Sequence, residues 1–134
     1  MPVMLAHACL DVRNLEKSIA FYGKLGMKVV YNFRDKEGRV FGVYLKAGNG
    51  TFLEMFRLDK ALVGKFKPAT YFHLCFQVKN LDAAAKLMRK NRIKIVRRIE
   101  WDGNGRLFFV NDPDGNKLEF LQYLAKNPLL KHLK

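Results

Sequence analysis

Polar and apolar residues alternate in two separate parts of the chain. In residues 3–12 one set of alternate positions is apolar throughout, and the other set contains His7. The same pattern returns in residues 71–78, with His73 among the mixed positions. Alternation of this kind predicts a half-buried β-strand, because neighbouring side chains of a strand point to opposite faces. We therefore predict two strands that each bury one face and present a histidine on the other.

Each of these strands is followed by a predicted helix. Asn14 precedes a helix over Leu15–Lys24, and Asn80 precedes a helix from Leu81 to about Arg89. Asparagine is a preferred residue at a helix N-terminus, because its side-chain oxygen accepts a free backbone N–H. Both segments carry apolar residues at helical spacing, so each helix should bury one stripe.

The strands that follow the helices also recur. Residues 27–33, 39–46 and 51–57 read as strands, and the later segments Ile93-Lys-Ile-Val96 and Gly105-Arg-Leu-Phe108 repeat earlier ones. Each half of the chain is thus strand, helix, strand, strand, strand. We predict an α+β fold of two tandem βαβββ modules, which can form a shared cleft if their sheets face one another. The predicted boundaries are residues 1–57 for the first module, 58–70 for a linker, 71–123 for the second module and 124–134 for a tail.

Composition narrows the class of protein. The 134 residues are 49% hydrophobic, which is enough for a buried core and argues against disorder. No apolar run reaches the length of a membrane span, and the start of the chain lacks the basic segment of a signal peptide. Two cysteines without a CxxC motif favour a reduced, cytoplasmic protein.

The net charge of +13 has three interpretations. It suits a nucleic-acid binder, a site for anionic substrates, or a solvated basic surface. No nucleic-acid recognition motif accompanies the basic residues, so nucleic acid is not the favoured partner. We expect a small-molecule substrate, and the charge favours an anionic one.

A histidine and a glutamate recur in each half. Glu54 follows His7, and Glu119 follows His73, at almost the same separation. Each residue taken alone is more simply a structural histidine or an outward-facing glutamate. The recurrence favours a site, because burying two carboxylates without a cation is costly. Two imidazoles and two carboxylates suit Zn, Ni, Co, Mn or Fe, so we predict these four residues as ligands of one divalent metal.

The chain resembles the vicinal oxygen chelate superfamily, whose members include glyoxalase I, methylmalonyl-CoA epimerase, fosfomycin-resistance proteins and extradiol dioxygenases. The resemblance covers residues 5–123. It implies paired βαβββ modules around a metal, and all four ligand positions of glyoxalase I match. The matching residues and motifs are His7, Leu15–Tyr22, Glu54, His73 and Asn111-Asp-Pro-Asp-Gly-Asn-Lys-Leu-Glu119.

The resemblance implies a glyoxalase-like lyase or isomerase. The reaction would abstract a proton next to a carbonyl while the metal binds two vicinal oxygens and stabilises an enediolate. Either Glu54 or Glu119 would act as the base, and the sequence does not assign which. Bacterial glyoxalase I enzymes hold glutathione with an Arg and an Asn where this chain has Asp11 and Leu58. These departures argue against glutathione as the thiol cofactor.

Other functions remain open within the superfamily. One alternative is another metalloenzyme, namely an epimerase, a fosfomycin-type thiol transferase or an extradiol dioxygenase. The other is a non-catalytic protein that sequesters a ligand. Exposed sheet edges in so small a chain favour a homodimer.

Strand alternation places further side chains on the ligand-bearing faces. Cys9 and Cys75 lie there, and we interpret them as small buried core residues, with metal-site thiolates as the alternative. The candidate lining residues of the pocket, for which ordinary packing is an equal explanation, are Phe52, Phe56, Tyr71, Gln77, Lys117 and Tyr123.

Overall fold

The computed structural model describes residues 5–58 and 73–132, the last without its side chain. The first module is one four-stranded sheet with a helix. Its sheet has the strand order β1-β4-β3-β2, in which β1 runs parallel to β4 and the other neighbours are antiparallel. The elements are β1 (His7–Val12), α1 (Leu15–Lys24), β2 (Lys28–Arg34), β3 (Val40–Lys46) and β4 (Phe52–Arg57).

The second module repeats this plan. Its sheet has the order β5-β8-β7-β6, again with one parallel pair, β5 and β8. The predicted α+β class and the two βαβββ modules are confirmed. The elements are β5 (Leu74–Gln77), α2 (Leu81–Lys90), β6 (Ile95–Trp101), β7 (Gly105–Asn111) and β8 (Lys117–Tyr123).

The first strand of each module is shorter than its alternating pattern predicts. β1 begins at His7, directly opposite Phe52, the first residue of β4. β5 begins at Leu74, which lies opposite Leu118 near the start of β8. Alternation marks which residues can be extended, whereas the length of a strand is set by the partner strand beside it.

The chain divides into two compact units, Met1–Ala69 and Thr70–Lys134. The predicted linker over residues 58–70 lies outside the described residues apart from Leu58. The predicted module boundaries therefore stay predictions.

The core of each module lies on the helix side of its sheet. In β4, Leu53 and Met55 are buried, and Glu54 between them points to the opposite face. In β8, Leu118 and Phe120 are buried on either side of Glu119 in the same way. Because successive side chains alternate, packing the apolar residues against the helix fixes the glutamate on the other face.

The helices begin where the sequence predicts. The side-chain oxygen of Asn14 accepts a bond from the Lys17 N–H at 2.9 Å, and that of Asn80 accepts from the Ala83 N–H at 3.0 Å. Each of these bonds satisfies one backbone donor of the first helical turn. Both helices therefore start at the residue after the asparagine.

Different interactions hold the start of the helix to the last strand in the two modules. In the first module Arg57 of β4 forms two bonds with the Glu16 carboxylate, at 2.6 and 3.1 Å. In the second module Gln122, at the equivalent position of β8, accepts a 2.8 Å bond from the Leu81 N–H. The last strand therefore contacts the helix start through an ion pair in the first module and through a neutral hydrogen bond in the second, where Arg106 of β7 adds an ion pair with Asp82.

The turn before β8 is built by one side chain. Asp112 is buried, and its carboxylate accepts bonds from the backbone N–H groups of Asp114 and Asn116 at 2.9 and 2.8 Å. A third bond, 2.8 Å long, comes from the Asn116 side chain. Gly115 adopts a positive φ of 82°, a conformation that glycine takes without strain. This turn sets the β7–β8 register and so the position of Glu119.

The segment after β8 packs back on the second module. The Leu124 N–H and the side chain of buried Asn127 both donate to the Asn104 carbonyl, at 2.9 and 3.0 Å. A short 3-10 helix follows over Leu130–His132. Among the described residues, no helix is both long enough and apolar enough to cross a membrane.

Replacing Asn80 by Ala should lower the free energy of unfolding by about 1 kcal/mol, because the Ala83 N–H loses its acceptor. Asn14→Ala should cost a similar amount. Urea unfolding followed by circular dichroism measures both. Lys86→Ala, on the exposed side of α2, is the control and should change stability by less than about 0.5 kcal/mol. Losses of the same size in control and cap variants would contradict the assigned caps.

Candidate metal centre

The first predicted pair of ligands comes together on the sheet face opposite the core. The parallel register sets Cys9 beside Glu54, and His7 lies two residues earlier on the same side of β1. The His7 Nε2 atom is 3.8 Å from the Glu54 carboxylate. The Glu54 side chain is only 12% exposed, whereas His7 is 40% exposed. The imidazole is therefore the accessible member of this pair.

The second pair is closer. His73 immediately precedes β5, and its Nε2 atom is 2.7 Å from the Glu119 carboxylate. The register sets Cys75 beside Glu119, as it sets Cys9 beside Glu54 in the first module. The Glu119 side chain is 10% exposed. The repeat seen in the sequence is thus also a repeat of side-chain geometry.

The donor set of each pair fits a divalent ion. Imidazole nitrogen and carboxylate oxygen are ligands for borderline metals, and a cation would compensate a carboxylate that is mostly removed from water. In residues 5–58 and 73–132, no three His, Cys, Asp or Glu side chains are gathered into one metal-binding group. Each module brings together two of the predicted ligands, and the four-ligand centre of His7, Glu54, His73 and Glu119 stays a prediction.

The expectation that Cys9 and Cys75 are buried core residues is wrong. Both are exposed, because alternation places them on the ligand side of β1 and β5 and not on the helix side. Each thiol donates a hydrogen bond to its neighbouring carboxylate, Cys9 to Glu54 and Cys75 to Glu119. Partial burial of the thiol group and the adjacent negative charge raise the pKa of both cysteines to about 12.

One side chain distinguishes the two halves of the candidate centre. Tyr44 of β3 lies opposite Glu54, and its hydroxyl donates to that carboxylate, which raises the pKa of Tyr44. Its ring packs edge-on against His7 with centroids 5.5 Å apart. Phe109 occupies the equivalent position, opposite Glu119, and packs on His73 at the same 5.5 Å. The ring packing is repeated, but the hydroxyl donor exists only in the first module.

Tyr44 was not among the predicted site residues. The hairpin turn Gly48-Asn-Gly50 indicates its position, because a hairpin centred on this turn places residue 44 opposite residue 54. Hairpin register follows from turn length, so the pair could have been derived.

A cavity of about 500 Å³ adjoins the first pair of ligands. Phe52, a predicted lining residue, is part of its wall, and Phe56 lies in the same group of aromatic rings. Of the other predicted lining residues, Gln77 and Lys117 are exposed in the second module, Tyr123 is half-buried, and Tyr71 lies outside the described residues. Within residues 5–58 and 73–132, the wall consists of His7, Val30, Tyr31, Phe33, Tyr44 and Phe52.

Comparison with known proteins identifies the family. The model of the Glyoxalase/Bleomycin resistance protein/Dioxygenase superfamily matches residues 4–120. The chain belongs to this superfamily. A lactoylglutathione lyase from Neisseria meningitidis serogroup A is 31% identical over 127 residues, which cover 88% of this chain and 89% of the relative. The resemblance to the vicinal oxygen chelate superfamily is thereby confirmed.

Solved structures of the superfamily share the fold. The trypanothione-dependent glyoxalase I of Leishmania major aligns with a TM-score of 0.71 at 28% identity, over 90% of this chain and 87% of that one. The fosfomycin resistance protein FosX of Listeria monocytogenes aligns with a TM-score of 0.71 over 94% of this chain and 98% of that one. At 18% identity the second likeness shows the fold alone.

Two positions set this superfamily member apart from the pattern expected for bacterial glyoxalase I. Asp11 is exposed on the ligand side of β1, and its negative charge contributes to the raised pKa of Cys9. Leu58 follows β4 directly, and its N–H donates to the Val12 carbonyl at 2.8 Å. The first position thus adds negative charge to the ligand side of the first module.

In metal-free protein, Tyr44 should ionise at a higher pH than an ordinary tyrosine, because its neutral hydroxyl donates to Glu54 and its phenolate would face that carboxylate. The ultraviolet absorbance of phenolate, compared with Tyr44→Phe, measures this step. Glu54→Gln should move the step to lower pH, and Glu119→Gln is the control that should not. An unchanged step in Glu54→Gln would contradict the assigned bond.

Proposed function

We propose that the protein is a divalent-metal-dependent, glyoxalase-like lyase or isomerase. It would move a proton between the adjacent carbons of an α-hydroxycarbonyl compound. The observation that carries this proposal is the repeated placement of one imidazole and one mostly buried carboxylate on the core-free face of each sheet. The 31% identity to a lactoylglutathione lyase supports the same class of reaction.

The predicted ligands His7, Glu54, His73 and Glu119 would hold the metal. When bound, the metal would supply positive charge at two vicinal oxygens of the substrate, where negative charge develops. One of the two glutamates takes the proton from the carbon next to the carbonyl and returns it to the neighbouring carbon.

The side chains around the two glutamates prepare them differently for this role. Glu54 accepts hydrogen bonds from the Tyr44 hydroxyl and the Cys9 thiol. Glu119 accepts a bond from the Cys75 thiol and lies at hydrogen-bonding distance from His73. Donors to a carboxylate fix its orientation, so both glutamates are held in place by the sheet face that carries them.

The proposal does not include glutathione as the thiol cofactor. Asp11 stands where an arginine would bind a carboxylate of glutathione, and an exposed aspartate repels such a group. Leu58 replaces an amide donor with an apolar side chain. These changes affect the holding of a thiol cofactor and leave the four predicted ligands intact.

An anionic substrate remains part of the proposal. Four basic residues at the end of α2 and the start of β6, namely Arg89, Lys94, Arg97 and Arg98, line a second cavity of about 560 Å³. Arg97 also lies opposite Phe109, and therefore on the ligand side of the second sheet. A small carboxylate, or a thioester that carries phosphates, suits this charge and the net charge of +13.

Protein purified without chelators should contain about one divalent ion per complete site. His73→Ala or Glu119→Ala should weaken metal binding at least about tenfold, because each removes a donor atom. Elemental analysis after dialysis measures this. Glu37→Gln, in the exposed β2–β3 turn, is the acidic control and should retain the metal. Unchanged metal content in His73→Ala would refute the assigned ligands.

Turnover separates the proposed reaction from its alternatives. Activity of the nickel, cobalt or zinc form with the hemithioacetal of methylglyoxal would support the glyoxalase class. Oxygen-dependent activity of the iron form would instead support a dioxygenase. Tight ligand binding without turnover in any metal form would support a sequestering protein.

We also propose a homodimer, on the basis of exposed apolar residues in the edge strands β2 and β6. Val30 and Val96 are 52% and 47% exposed, and exposed apolar edges favour pairing. Sedimentation at micromolar concentration should give twice the mass of one chain. Val96→Lys should shift the equilibrium toward the monomer, whereas Leu87→Lys, at an exposed apolar residue of α2, should not. A single species with the mass of one chain would contradict the dimer.

A further inference from the structure

The ligand side of the first sheet carries a connected group of aromatic rings. We call this group, Tyr31, Phe33, Tyr44, Phe52 and Phe56, the aromatic patch. Phe33 lies at its centre, with ring centroids 5.0 Å from Tyr31, 5.4 Å from Tyr44 and 5.0 Å from Phe56. Tyr44 extends the patch to Phe52 at 6.1 Å. These separations are within the range of favourable ring packing.

A glycine makes room for the patch. Gly42 of β3 lies opposite both Phe33 and Phe56. A Cβ atom at this position would collide with the Phe56 ring and lie 2.9 Å from the Met55 carbonyl. A glycine inside a strand costs stability, and here its missing side chain lets an aromatic ring lie against the backbone.

The second module shows that the fold does not require these rings. The strand registers identify the equivalent residues of the two modules. Tyr31 has the same position relative to Glu54 as Arg97 has relative to Glu119. Phe33 corresponds to Ile99 in the same way. Only one of the five equivalents is aromatic, and Leu107 takes the place of Gly42. The equivalents of the patch, in the order given above, are Arg97, Ile99, Phe109, Lys117 and Leu121.

The cavity beside the patch has the size and polarity of a site for a small apolar group. Its volume of about 500 Å³ is within the range of ligand pockets. Among the residues that the structure describes, its lining includes no Lys, Arg, Asp or Glu, so a charged group would find no partner of opposite charge in this wall. His7 and Tyr44 belong both to this wall and to the candidate metal centre, so a group in the cavity lies beside the predicted ligand His7.

We propose that the aromatic patch is the subsite for the side group of the substrate, and that the protein selects α-hydroxycarbonyl compounds bearing an aryl ring over those bearing a methyl group. The inference rests on the proposed function, because that function places the reacting oxygens next to His7. A phenyl ring would pack against Tyr31 and Phe33, whereas a methyl group would leave most of the cavity unfilled.

Mandelate and lactate provide a direct test, because they share their vicinal oxygens and charge and differ only in phenyl against methyl. Isothermal titration of the protein as purified should give a Kd at least about tenfold lower for mandelate. Tyr31→Ala should reduce this preference about threefold or more, with lactate affinity unchanged. Tyr31 is 54% exposed, so the variant should fold.

Arg97→Ala is the matched control, because Arg97 is the equivalent of Tyr31 in the second module. It should change the affinities for both anions together and leave their ratio intact. Equal affinities for mandelate and lactate would overturn the inference, and so would a ratio that Tyr31→Ala leaves unchanged. A patch covered by a second copy of the chain would also give equal affinities.

Turnover distinguishes failure of this inference from failure of the proposed function. The hemithioacetals of phenylglyoxal and methylglyoxal, formed with the same thiol, should differ in kcat/KM in the direction of the aryl compound. Turnover of both without an aryl preference would overturn the subsite alone. An aryl preference in binding without turnover of either would support the subsite and overturn the proposed reaction.

Discussion

The alternation of side chains along the last strand of each module is the constraint on which the site depends. Leu53 and Met55 must face the helix, and this leaves Glu54 on the opposite side of the sheet. Leu118 and Phe120 impose the same choice on Glu119. A slip of one residue in either strand would place a carboxylate in the core and move two buried apolar side chains to the opposite face. The free-energy cost of that exchange keeps the candidate ligands Glu54 and Glu119 on this face of the sheet.

A repeated backbone allows the two halves of the chain to take different chemistry. Arg57 and Gln122 are equivalent residues, yet one forms an ion pair with a helix side chain and the other accepts a backbone N–H. Tyr44 and Phe109 pack on the two histidines at the same distance, yet only Tyr44 carries a donor. The positions that define the fold are alike in the two modules, whereas the positions beside the candidate metal ligands differ.

The sequence predicts most of the features that the two modules share and fewer of the features in which they differ. The two asparagine caps, the helix positions and the His and Glu of each module follow from local patterns that occur twice. Residue type predicts that Cys9 and Cys75 are buried, and this prediction is wrong. Strand alternation instead places both on the ligand side of their sheets. The first residues of β1 and β5 depend on the partner strand, so no local sequence pattern predicts them.

The motif Asn111-Asp-Pro-Asp-Gly-Asn-Lys-Leu-Glu119 combines structural and chemical roles. Most of its residues build a turn, in which the Asp112 carboxylate accepts three hydrogen bonds and Gly115 takes a positive φ. Only the last residue is a candidate ligand. The turn fixes the register of β8, and the register decides where the glutamate points.

The ligand-bearing faces of the two modules differ in charge. The first face has Asp11 and the aromatic patch, and the described part of its cavity wall contains no Lys or Arg. The second face has Arg97 and Lys117 at the positions of Tyr31 and Phe52. An acidic group is repelled by Asp11 and attracted by the basic residues, whereas an aryl ring gains only from the first face. The first face therefore favours an apolar ring, and the second favours an anionic group.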